Sequence, residues 1–113
     1  MPKHEIAVAV LLCMLLILGN SCSDSVGERL YSDSGCPRCH GTNGESGPDG
    51  PPLKGLRHTW KRENLLLFLK NPNGFRKNDP RLKSLSERYR TKMPTFAMDE
   101  ESRDVLADFL LAQ

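Results

Sequence analysis

Hydrophobic residues recur three and four positions apart in four stretches of the chain, which is the spacing of a helix that buries one face. No stretch alternates apolar and polar residues for long enough to predict a strand. The sequence therefore predicts an all-α fold of about three to four helices. Their apolar positions are, in chain order, Val26, Leu30 and Tyr31; Leu65, Leu66, Phe68 and Leu69; Leu82, Leu85 and Tyr89; and Val105, Leu106, Phe109 and Leu110.

Capping and helix-breaking residues indicate where these helices begin and end. The first is expected to end at Gly35, and the second at Asn71-Pro72. Asp79-Pro80 is a suitable N-cap and first-turn pair for the third. The acidic run 99–101 precedes the last helix, where the helix dipole favours negative charge. Gly and Pro are so dense in residues 41–55 that this stretch is predicted to be a loop.

The beginning of the chain has the pattern of an export signal. Lys3 and His4 are weakly basic, and an apolar stretch of thirteen residues runs from Ile6 to Leu18. This stretch is too short to span a bilayer as a helix, but it suits the hydrophobic part of a secretory signal. We expect residues 1–21 to be a signal peptide and residues 22–113 to be one domain, exported to a bacterial periplasm.

Cys22 follows this predicted signal directly. Residues 18–22 resemble a bacterial lipoprotein signal, in which that cysteine carries lipid. They depart from the pattern because Gly19 stands where Leu is expected and because Asn20 is unusual. The resemblance implies a membrane anchor at Cys22, and the alternative is a periplasmic protein with a free thiol there.

The net charge of +2 hides an uneven distribution. Residues 54–92 carry twelve Lys or Arg against three acids, a net charge of +9, whereas residues 22–53 carry −3 and residues 93–113 carry −4. One face or edge of the fold is therefore predicted to be basic, which would attract an acidic protein partner rather than nucleic acid. The alternative is a solvated surface that offsets an anionic cofactor.

The candidate chemistry lies in Cys36-Pro37-Arg38-Cys39-His40. Its two thiols and its imidazole share a helical face, because positions i, i+3 and i+4 lie together. Thiols so placed add across the two vinyl groups of a porphyrin while the imidazole reaches the iron. The motif predicts one haem c, covalently attached through Cys36 and Cys39, with His40 as an iron ligand.

Two other sites are compatible with parts of this motif. A thiol–disulfide redox pair is one, but it is expected after a strand and among βαβ units. A structural zinc site is the other, but it needs a fourth ligand, and only Cys22 and His58 remain.

A haem iron in an electron carrier needs a second axial ligand, and a methionine thioether raises its potential. Residues 22–113 contain two methionines, Met93 and Met98. We favour Met93, because Pro94 prevents a helix from starting at the ligand. Met98 is the main alternative, and His58 would give a bis-histidine site.

With these motifs the sequence resembles the small class I c-type cytochromes, over about residues 26–111. The segment 50–53 looks like the family's Gly-Pro-x-Leu loop. That match implies that the Pro51 carbonyl accepts a hydrogen bond from the non-ligating nitrogen of His40, and that Leu53 packs on the porphyrin. The other matching segments are Asn71-Pro72, Met93-Pro94-Thr95-Phe96 and residues 106–110, with Gly27, Tyr31 and Phe109 at a crossing of the first and last helices.

The resemblance implies a cytochrome c-like fold wrapped around one haem, and an electron carrier rather than an enzyme. Its partners would be redox proteins of the envelope or of a respiratory chain. A different class, a haem-based ligand sensor or small peroxidase, would require Met93 not to bind iron. The segment between Pro72 and Met93 is longer than in the shortest family members.

Overall fold

The computed structural model describes residues 21–113, without the side chains of residues 21–24. This range forms six α-helices and no strand, so the predicted all-α fold is confirmed. The predicted signal peptide lies outside the described residues, apart from Ser21. No helix within residues 21–113 is long and apolar enough to cross a membrane. The helices are α1 (Ser21–Asp33), α2 (Pro37–His40), α3 (Arg62–Lys70), α4 (Pro72–Lys77), α5 (Pro80–Arg88) and α6 (Glu100–Leu111), with a 3₁₀ turn at Leu56–His58 before α3.

Helix α6 is at the centre of the packing, because both α1 and α3 lie against it. The predicted apolar face of α3 is largely correct: Leu65 and Leu69 are buried, and Leu67, which is not on that face, is 57% exposed. On α1 the prediction is wrong for Val26, which is 45% exposed. The buried core is formed by Tyr31, Leu65, Leu69, Leu106, Ala107 and Leu110.

The first and last helices cross where Gly27 lies against Phe109. A Cβ atom built on Gly27 would lie 2.8 Å from Cγ of Phe109 and closer still to its Cβ. One turn further along α1, the rings of Tyr31 and Phe109 lie 6.0 Å apart. The lack of a side chain at Gly27 therefore allows this close crossing, and the expected meeting of Gly27, Tyr31 and Phe109 is confirmed.

Asn71-Pro72 ends α3 as predicted, but it also begins α4, which the sequence did not predict. The side chain of Asn71 accepts a hydrogen bond of 3.0 Å from the backbone N–H of Gly74. Pro72 occupies the first turn, where it needs no amide donor. The same two residues are therefore both a stop signal and a cap.

Candidate haem-binding site

Cys36, Cys39 and His40 lie on the single turn of α2. Gly35, with φ of +79°, lies in the turn between α1 and α2. Cys36 is the N-cap of α2, and Pro37 is its first residue. The backbone N–H of His40 donates to the Cys36 carbonyl at 3.0 Å. Both thiols are partly buried and neither forms a disulfide. The turn thus brings the three predicted side chains together.

The imidazole of His40 is oriented by the loop that follows α2. Its Nδ1 lies 2.8 Å from the carbonyl oxygen of Pro51. Because a carbonyl oxygen only accepts, Nδ1 carries the proton, and Nε2 is left as the nitrogen that can bind a metal. Gly50 permits this approach: a Cβ there would lie 2.9 Å from both Cε1 and Nδ1 of His40.

The loop itself is held to α1 and folded back on itself. The hydroxyl of Tyr31 donates to the carbonyl oxygen of Gly41 at 2.6 Å. Burial is the largest cause that raises the pKa of this hydroxyl above its ordinary value. Further along, the N–H of Leu53 donates to the carbonyl of buried Gly44 at 2.7 Å. These bonds place Leu53 against the core.

Met93 and Met98 are both partly buried against the hydrophobic core, as Cys36 and Leu53 are. Met98 directly precedes Asp99, the N-cap of α6, and its carbonyl accepts a 2.7 Å hydrogen bond from Arg103. Met93 lies in a segment, residues 89–99, that is neither helix nor strand. That segment is joined to the loop of Pro51, because Thr91 Oγ1 donates to Asp49 Oδ1 at 3.2 Å.

His58 is exposed in the 3₁₀ turn and is not part of the core cluster, unlike both methionines.

A family model described as cytochrome c matches residues 25–113, nearly the whole of the described chain. The chain belongs to the cytochrome c family. This membership shows a class I c-type cytochrome fold and haem-based electron transfer. No curated protein and no solved structure matched this cytochrome in the same comparisons.

The donor set of this cytochrome fits haem c. It contains two unpaired thiols on one helical turn, an imidazole with a free Nε2, and two thioethers against the same core. Gly50 is buried beside His40, where any side chain would press on the ring. The residues that would hold the group are thus Cys36, Cys39 and His40, and the candidate thioether ligands are Met93 and Met98.

The alternative sites find less support in this geometry. Burial is the main cause that raises the pKa of the Cys36 thiol to about 11. A nucleophilic cysteine of a thiol–disulfide pair has a lowered pKa, and no strand precedes the motif within the described residues. For zinc, residues 25–113 contain no cluster of three or more His, Cys, Asp or Glu side chains that would hold a metal ion.

Two contacts of the site were not predicted from the sequence. One is the bond from Tyr31 to Gly41, and the other is the bond from Thr91 to Asp49. Each joins polar groups far apart in the chain, and neither belongs to a spacing motif. The density of glycine in residues 41–50 was the only signal that the loop packs closely on its surroundings.

Proposed function

We propose that this protein is an exported monohaem cytochrome that carries single electrons. Its haem is attached through Cys36 and Cys39, and its iron is bound by His40 and Met93. The observation that supports this most directly is the 2.8 Å hydrogen bond between His40 Nδ1 and the Pro51 carbonyl. That bond holds the ring in the tautomer and orientation that an axial ligand needs.

Each residue of the proposed site has a separate task. The haem iron, when bound, supplies the change between ferric and ferrous states. The two thiols hold the cofactor, the Pro51 carbonyl orients His40, and Leu53 keeps water from the porphyrin. With His40 and Met93 both bound, no position is open for a substrate, so we propose a carrier and not an enzyme.

Met93 is proposed as the distal ligand because its segment is free of helix and is tied to the loop of Pro51. The Thr91–Asp49 bond makes that connection two residues before Met93. Pro94 prevents a helix from starting at the ligand. Met98, in contrast, is held at the start of α6 by the hydrogen bond from Arg103 to its carbonyl.

The proposed redox partners are acidic envelope proteins. Exposed basic side chains are concentrated from the end of α3 to Met93, and six of them form no ion pair with a described carboxylate, unlike Arg81, which pairs with Asp79. Such a surface speeds association with an acidic partner at low ionic strength. A lipid on Cys22 would keep the protein at the periplasmic side of a membrane. The basic residues are Lys70, Lys77, Lys83, Arg88, Arg90 and Lys92.

The attachment is tested by haem staining on a denaturing gel. Wild type is expected to keep its haem, and the double variant Cys36→Ser/Cys39→Ser is expected to lose it. An unstained wild-type band would contradict the proposal and favour a thiol oxidoreductase. Mass spectrometry of the mature N-terminus tests Cys22 separately, since an unmodified thiol there would exclude the lipid anchor.

The axial ligand is tested with a matched pair of variants of similar volume, Met93→Leu and Met98→Leu. The long-wavelength charge-transfer band of methionine-ligated ferric haem is expected in wild type and in the Met98 variant, and is expected to vanish in the Met93 variant. Loss only in the Met98 variant would move the ligand to Met98. A high-spin ferric wild type would instead indicate a ligand sensor or a small peroxidase.

A further inference from the structure

Helix α5 is weakly anchored by apolar contacts. It has nine residues, and Leu82 is the only one of them that is buried. A helix of this length is not stable by itself in water, so contacts with the rest of the fold must hold it. The chain from α5 leads directly to Met93, and its placement therefore bears on the proposed iron ligand.

The side chain of Arg81 provides such a contact. Its guanidinium carbon lies 4.6 Å from the centroid of the Trp60 ring, a cation–π distance. Its Nη1 donates to the carbonyl oxygen of Thr59 at 2.7 Å. Its Nη2 lies 3.8 Å from the carboxylate of Asp79, the N-cap of α5. One side chain thus joins the first turn of α5 to the segment that precedes α3.

The surface that receives Arg81 is formed by Trp60, which packs with two other aromatic rings. Trp60 packs on Phe68 of α3 at 5.2 Å and on Phe75 of α4 at 5.7 Å between ring centroids. Phe68 and Phe75 also contact each other edge to face. Trp60 and Phe68 in turn lie against the hydrophobic core. Trp60 is therefore an anchor at the start of α3, and its outer face is the platform for Arg81.

We propose that Arg81 is a positioning residue that fastens α5 to the Trp60 platform and so holds the chain that leads to Met93. The segment after α5 has a second attachment at Thr91, through Asp49. Without Arg81, residues 80–90 lose this contact with the segment before α3, while the burial of Leu82 and the Thr91 contact remain. The consequence for iron ligation rests on the proposed role of Met93, whereas the fastening of α5 does not.

The test is amide hydrogen exchange of the haem-loaded protein, followed residue by residue. In Arg81→Gln, exchange in α5 is expected to become about tenfold faster, from the loss of one cation–π contact and one hydrogen bond. Arg81→Lys keeps the charge but loses the planar stacking, so an intermediate rate is expected. The matched control is Lys83→Gln, which removes an exposed charge from the same helix and is expected to leave α5 exchange unchanged.

Two results would overturn the proposal. One is an α5 exchange rate in Arg81→Gln that equals the wild-type rate. The other is an α5 exchange rate in Lys83→Gln that is raised as much as in Arg81→Gln. Exchange in α6 serves as an internal reference, since a general loss of stability would accelerate both helices.

The effect of Arg81 on iron ligation is measured by following the methionine–iron charge-transfer band while the protein is heated. The band is expected to be lost at a lower temperature in Arg81→Gln than in Lys83→Gln, and equal temperatures would refute the link. If wild type lacks the band, the proposed ligation is wrong, but the exchange experiment still decides whether Arg81 fastens α5.

Discussion

The crossing of α1 and α6 leads to a prediction for Gly27→Ala. The added Cβ would lie 2.8 Å from Cγ and 3.1 Å from Cδ2 of Phe109, and closer still to its Cβ. Carbon atoms in good contact are about 3.5–4.0 Å apart. Phe109 can rotate its ring away, but its Cβ is bonded to the backbone of α6. The two helices must therefore separate in the variant.

Two opposing effects determine how much Gly27→Ala changes the free energy of unfolding. Overpacking of a core contact costs about 1–3 kcal/mol, and we expect the upper end because a backbone-bound atom is in the way. Alanine in place of glycine within a helix stabilises the helix by about 1 kcal/mol. The net expectation is a loss of about 2 kcal/mol in the free energy of unfolding. For a domain of this size that corresponds to a decrease in Tm of roughly 8–16 °C.

The assay is thermal and guanidinium unfolding of the haem-loaded protein, followed by far-ultraviolet circular dichroism. The control is Ser32→Ala, an exposed position of the same helix, which receives the gain in helix propensity without a new contact. It is expected to be at least as stable as wild type. If Gly27→Ala were also as stable as wild type, the inferred close crossing would be refuted.

Three further predictions concern the site and the last helix. Gly50→Ala is expected to displace the His40 ring, which a Cβ would approach to 2.9 Å, and to raise the reduction potential as the imidazole loses its bond to Pro51. Tyr31→Phe removes one of two donors to the Gly41 carbonyl, which keeps the N–H of Gly44, so chemical denaturation should show a loss of about 0.5–1.5 kcal/mol. Asp99 caps α6, and its bond to a backbone N–H lowers the pKa of its carboxyl. The Asp99 carboxylate therefore stabilises the folded protein fully above its unfolded-state pKa, and this contribution is lost as the pH falls through its folded-state pKa.

Each of these has a control or a contrary outcome. For Gly50→Ala the control is Ser46→Ala, which lies exposed in the same loop, and an unchanged potential in Gly50→Ala would contradict the argument. For Tyr31→Phe, wild-type stability would mean that the bond contributes nothing. Asp99→Asn keeps a capping side chain but cannot titrate. The stability difference from wild type should shrink below about pH 4, and a constant difference would exclude the carboxylate as its source.

The sequence by itself determined the features that depend on neighbours in the chain. Cys36, Cys39 and His40 lie together because a single helical turn brings positions i, i+3 and i+4 to one face. Likewise Asp79 and Asp99 cap the helices that they precede, because a cap needs only the next two or three amides. The all-α fold was predicted from the apolar periodicity, because a spacing of three and four residues reflects the local repeat of a helix.

Only the tertiary structure decided which distant groups meet. The stop signal at Asn71 did not predict that the same residue caps α4, because the choice depends on what the next turn packs against. The exposure of Val26, whose spacing matches that of Leu30 and Tyr31, depends on where α6 crosses α1. The placement of Arg81 on Trp60 joins residues 21 positions apart, and no local periodicity encodes such a pairing. Contacts of this kind depend on the simultaneous packing of several helices, and the tertiary fold alone supplies that information.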